Sequence, residues 1–221
     1  MELKGWKCFK AFAYRNYKIA SVVAAVIMTT IGAVSGVYFG GWAIIVVGAM
    51  ITMFIGTLDY SCISEFNRSN RGCMNFVRSS FWAGKAVEKY VKADIWYKTI
   101  ILALGFGGCL AASIAKGGVL FCLMGFGLFL GALFFLMAFI RNKCLSVNVS
   151  AMLLEFGLMC TTAVLIAVYL LIQLITEAGF GLLASVGFTA LSAIFAVAGG
   201  RTLYRVSLKN FEAGYRPTEN L

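Results

Sequence analysis

The chain has 221 residues, 61% of them hydrophobic and 13% charged, with a mean hydropathy of +0.89. A soluble domain carries about a quarter charged residues, so the composition excludes one and indicates a membrane protein. There is no histidine, one proline and a formal charge of +10, from 19 basic against 9 acidic side chains.

Plotted at 100° per residue, positions 2–18 put Leu3, Trp6, Phe9, Phe12, Ala13 and Tyr17 on one side and Lys4, Lys7, Arg15 and Lys18 opposite. The pattern predicts an interfacial amphipathic helix over 1–18 that lies on the inner leaflet and leads into the first span. Because the apolar region then continues without a polar mature domain, it does not read as a cleavable signal peptide.

Between Lys18 and Asp59 there is no charged residue. One straight helix of that length would be about 60 Å long, twice the hydrocarbon thickness. Two spans are therefore expected, near 19–38 and 42–58. The break falls at Tyr38-Phe39-Gly40-Gly41-Trp42, where two glycines permit a turn and three aromatics suit the interface. A polar loop over 59–98 follows. Further apolar stretches near 99–115, 118–140, 151–176 and 179–200 bring the total to six spans, with a tail over 206–221. The expected fold is an all-α polytopic membrane domain over 19–205.

Six spans put eighteen of the nineteen basic residues on the side of the N-terminus and only Lys116 on the other. By the positive-inside rule both termini and the 59–98 loop are expected in the cytoplasm of a plasma membrane, in a bacterial cell. Asn67-Arg68-Ser69 and Asn148-Val149-Ser150 then read as chance matches to the glycosylation pattern. Cys8, Cys62, Cys73 and Cys144 fall in a reducing compartment. No basic stripe interleaves with stacking aromatics on a soluble module, so anionic lipid headgroups rather than nucleic acid are the expected partners of the surplus charge.

Several chemistries are excluded. The seven cysteines match neither a disulfide framework nor a zinc ribbon. Without histidine there is no Ser-His or Cys-His pair, no imidazole metal ligand and no zinc-protease motif. The nearest match to G-x-S-x-G has Leu183 in place of its first glycine. Gly84-Lys85 has Ser79 where a P-loop needs glycine and Ala86 where it needs a hydroxyl. No catalytic residue, metal site or cofactor is expected in this chain.

Within 59–98, a turn-rich stretch leads into a short helix carrying Met74, Phe76, Phe81 and Trp82, and a second helix starts near Gly84, where Glu88 and Lys92 can pair at i, i+4. An exposed helix with such side chains is suited to docking, or to resting on the bilayer. The order of a polar turn, Gly72, a short helix with Phe76, then Ser79-Ser80 and Gly84-Lys85-Ala86-Val87-Glu88-Lys89-Tyr90 resembles the loop after the second span in small six-span permeases of the type-2 ABC exporter class. It departs from that family in lacking a proline near 81 and in carrying Cys73 where an aromatic is common. The resemblance implies that Asn70, Arg71, Gly72, Met74, Phe76, Arg78, Phe81 and Trp82 form a coupling helix that docks on a separate ATPase subunit. ATP and magnesium would be bound there and not here.

Ion-coupled transporters need an ionisable group inside the membrane. The expected spans offer one, Glu155, near the start of the fifth and within reach of Arg141 or Lys143. Energy is thus expected from another chain. Scattered hydroxyls and Gln173 suit amphipathic peptide or lipid-like cargo, or else bond helix to helix. Gly32-x-x-x-Gly36-x-x-x-Gly40 and Gly127-x-x-x-Gly131 have the spacing of close helix packing. Six helices are few for a gated path, so a second permease subunit, identical or homologous, is expected beside this one. The competing expectation is a membrane protein that transports nothing, such as an immunity, sensor or assembly factor that binds other spans.

Overall fold

The structure is a computed structural model that describes residues 15–39, 41–69, 83–116, 118–144, 163–164, 166–171, 174 and 181–213. The described residues are all helical apart from Gly118. They form α1 (Arg15–Phe39), α2 (Gly41–Ser69), α3 (Ala83–Lys116), α4 (Val119–Cys144) and α5 (Gly181–Ala213), with further helical residues between 163 and 174. Each of the five is long and apolar enough to cross a membrane.

These sequences stay helical because their backbone groups bond within the helix and their short polar side chains fold back onto it. Thr29, Thr30, Ser35 and Thr57 each donate to the carbonyl four residues earlier, which satisfies the hydroxyl without water. α1 ends at Phe39 and α2 begins at Gly41. The turn between α3 and α4 is closed by the Gly118 amide, which donates to the Ser113 carbonyl at 2.9 Å, the six-to-one bond of a glycine-terminated helix. At the same end Lys116 Nζ donates to the Val37 carbonyl and so caps the C-terminus of α1. Outward positions such as Val22, Val26, Leu191 and Ile194 are apolar and exposed, as a lipid-facing surface requires.

The helices exceed the uncharged stretches of the sequence. The helix expected to start near Gly84 begins at Ala83 as α3, while α2 runs through Ser69, into the segment expected as a turn-rich loop. Both helices therefore continue past Asp59 and Lys98, the charges at which the spans are expected to end. At about 1.5 Å per residue α3 is about 51 Å long, well beyond the hydrocarbon thickness. The tail expected over 206–221 likewise begins as helix, with α5 continuing to Ala213, and Arg15–Lys18 belong to the first turn of α1. The rest of the expected interfacial helix and most of the expected fifth span lie outside the described residues.

Two helix pairs are packed at backbone distance. α1 meets α3 where a Cβ on Gly108 would strike the Thr29 carbonyl and the Ala33 amide, and Gly32 and Gly36 face Cys109 and Ala112. Thr29 Oγ1 also donates to the Leu104 carbonyl at 2.5 Å. α4 meets α5 where Gly127 faces Ser192 and Gly131 faces Phe195 and Ala196, while Gly199 rests on Gly131 and Phe134. Gly32, Gly36, Gly127 and Gly131 of the two glycine motifs therefore have packing partners within the chain, while Gly40 lies outside the described residues. α2 lies between the pairs, with Gly48 against Phe129 of α4 and Ile51 against Gly105 of α3.

Candidate functional site

At the end of the bundle opposite Lys116, four charged side chains meet inside the protein. Asp59 of α2, Asp94 and Lys98 of α3 and Arg141 of α4 are only 1–6% exposed. Helix geometry sets them at one level. Counting about 1.5 Å per residue from the other end of each helix, Asp59 lies about 26 Å along α2 from Trp42. Lys98 and Asp94 lie about 27 and 33 Å along α3 from Lys116, and Arg141 about 33 Å along α4 from Val119.

The contacts form a closed ring of alternating charge. Lys98 Nζ lies 2.9 Å from Asp59 Oδ1 and 2.5 Å from Asp94 Oδ1. Arg141 Nη2 lies 3.2 Å from Asp59 Oδ1 and 2.6 Å from Asp94 Oδ2. Arg141 Nη1 donates to Ser207 Oγ of α5 at 3.0 Å. Two aspartates against one lysine and one arginine leave no net charge, which is the condition under which such groups can leave water. The α1 contribution is Tyr17, whose ring centroid is 5.8 Å from Lys98 Nζ. Beside it, Ser21 Oγ and Tyr97 Oη share a 2.6 Å hydrogen bond that joins α1 to α3. All five helices thus contribute to one layer.

Three polar atoms of this layer, Asp59 Oδ2, Arg141 Nε and Tyr17 Oη, accept or donate no hydrogen bond among the described residues. Asp59 therefore uses one oxygen for both cations and keeps the other open. Among the described residues no three His, Cys, Asp or Glu side chains gather to hold a metal ion. With its charges cancelled, the ring is suited to exchanging partners between helices and not to nucleophilic chemistry.

Beyond this layer α3 and α5 continue side by side, with Val87 and Val91 packed against Tyr204 and Leu208. On the outside of that contact Glu88 Oε1 accepts from Lys92 at 2.6 Å, the i, i+4 pair expected from sequence, and from Tyr204 Oη at 3.1 Å.

The residues expected to dock a partner, Asn70, Arg71, Gly72, Met74, Phe76, Arg78, Phe81 and Trp82, lie outside the described residues, as does Glu155. Two further carboxylates, Asp59 and Asp94, expected just outside the spans, are buried in the bundle. Arg141, which with Lys143 was one of two expected partners of Glu155, pairs with those two aspartates among the described residues. They were missed because each was counted as the edge of a loop. The available signal was Asp94 and Lys98 at i, i+4 beside Tyr90 and Tyr97, a pattern that folds a charge pair onto an otherwise apolar helix face.

Comparison with protein-family models, with curated proteins and with solved structures finds no match to this chain.

Proposed function

We propose that this chain is the membrane-spanning subunit of an ATP-driven exporter, with six spans in the plasma membrane and both termini in the cytoplasm. It works as a pair with an identical or homologous subunit, and a cytoplasmic ATPase docks on residues 70–82. The observation that carries the reading is the shape of the two helices that flank that segment. α2 continues to Ser69, past the candidate span that ends at Tyr60, and α3 starts at Ala83. Two rigid stalks therefore bracket the segment that resembles a coupling helix. Asp59 and Asp94, one on each of these two helices, hold the same Arg141, so a push on the segment reaches the bundle through both.

The buried carboxylates do not favour an ion-coupled carrier instead, because both are already neutralised by Lys98 and Arg141. Amphipathic peptide or lipid-like cargo fits a wall whose Thr29, Thr30, Ser35 and Thr57 hydroxyls are turned back onto helix carbonyls. The test is co-purification of an ATPase with the native chain, and loss of that complex on changing both Phe76 and Arg78 to alanine. A well-behaved preparation that binds no ATPase would refute the reading.

A further inference from the structure

The bundle is built from two kinds of contact. Within the α1/α3 pair and within the α4/α5 pair, glycines bring helix surfaces to backbone distance, and such surfaces cannot slide without collision. Between the pairs the contacts are made by side chains. Phe106 of α3 meets Phe126 and Phe129 of α4 at centroid separations of 5.8 and 6.2 Å, Val87 and Val91 meet Tyr204 and Leu208, and Arg141 meets Asp94. Side-chain contacts of this sort can re-form at a displaced position.

The ring has a feature that a purely structural ion pair does not need. Arg141 now sits mainly on Asp94 at 2.6 Å and more loosely on Asp59 Oδ1 at 3.2 Å, while Asp59 Oδ2 has no partner among the described residues. If α3 moves away from α4, Lys98 still neutralises Asp94 from its own helix. Arg141 can then close a two-oxygen pair on Asp59. No bare charge is left buried at any stage, which removes the main energetic obstacle to breaking a buried ion pair.

We propose that the ring is a partner-exchange clasp, in which Arg141 passes from Asp94 to Asp59 as the α1/α3 pair separates from the α4/α5 pair at the charged end. α2 stays with Arg141 through this movement. The clasp goes beyond the exporter reading and operates whether or not an ATPase docks.

The experiment uses the full chain, cysteine-free except for two spin labels, reconstituted in lipid. One label pair at Lys85 of α3 and Lys209 of α5 reads the distance between pairs, and a second at Ile19 of α1 and Trp96 of α3 reads the distance within one. D94N/K98Q and D59N/K98Q are both charge-balanced, each leaving Arg141 one carboxylate. With Asp59 alone, the distance between pairs should lengthen by about 5 Å, a helical turn. With Asp94 alone, the distribution should narrow at the short distance. The distance within the pair should not move in either variant. Should either double variant fail to fold, D94N and D59N alone are compared, with the same opposite shifts expected. Shifts in the same direction, no shift, or equal broadening of both label pairs would overturn the clasp.

Discussion

Arg141 on α4 and Asp94 on α3 are 47 positions apart in sequence and meet at 2.6 Å, with both side chains withdrawn from solvent. Their pairing depends on the whole ring, since each is also held by a second group of opposite charge. Removing one member therefore does more than delete a contact. Arg141→Gln leaves two buried aspartates facing Lys98 alone. Loss of one partner of a buried pair costs about 3–5 kcal/mol, so a large drop in thermal midpoint is expected in detergent. The double variant R141Q/D59N restores neutrality with Asp94 and Lys98. It should melt above R141Q, and a midpoint equal to or below that of R141Q would show that the charge balance does not govern stability.

Gly108 and Gly107 are adjacent but face different surroundings. A Cβ at Gly108 would run into the Thr29 and Ala33 backbone, whereas one at Gly107 would find only Thr29 Cγ2 at 3.9 Å, an ordinary contact. Gly108→Ala should destabilise by about 1–3 kcal/mol through overpacking and weaken the α1/α3 pair. Gly107→Ala should leave the melting curve in place. Equal midpoints for the two variants would mean that α1 and α3 are not at backbone distance.

The membrane class and the two long apolar segments at the N-terminal half were legible in the sequence because hydropathy acts residue by residue. The break after Phe39 was legible for the same reason, since two glycines and three aromatics sit together there. The start of α3 near Gly84 was legible as well, but the end of α2 was not. A charge on a membrane helix is tolerated when a partner from another helix neutralises it, and Asp59 acquires Lys98 and Arg141 only once α2, α3 and α4 are assembled. The ring is a product of tertiary packing, and single-chain patterning could supply only its local piece, Asp94 with Lys98. The glycine spacings were visible, but which helix each faced required the fold: Gly32 meets α3 and Gly127 meets α5.

Ser21 and Tyr97 form the polar link between α1 and α3 next to the ring, at 2.6 Å and buried. A double-mutant cycle of Ser21→Ala and Tyr97→Phe should give a coupling of about 1 kcal/mol, the usual net value of a buried neutral hydrogen bond. Both hydroxyls also reach the Lys18 carbonyl, Ser21 Oγ at 3.0 Å and Tyr97 Oη at 3.2 Å. Ser21→Ala and Tyr97→Phe should therefore cost similar amounts. Strict additivity of the two changes would place the hydroxyls in separate environments.

The projecting ends of α3 and α5 offer a choice between two sources of cohesion. One is the exposed Glu88, Lys92 and Tyr204 group; the other is Val91, 2% exposed, against Tyr204 and Leu208. Exposed ion pairs contribute little because water screens them and ordering the side chains costs entropy. Lys92→Ala should therefore leave the thermal midpoint unchanged at moderate salt. Val91→Ala removes two buried carbons and should cost about 1–2 kcal/mol. The readout is the melting of each variant at low and high salt. If Lys92→Ala proved the more damaging of the two at both salt concentrations, the apolar contact would not be what holds these extensions together.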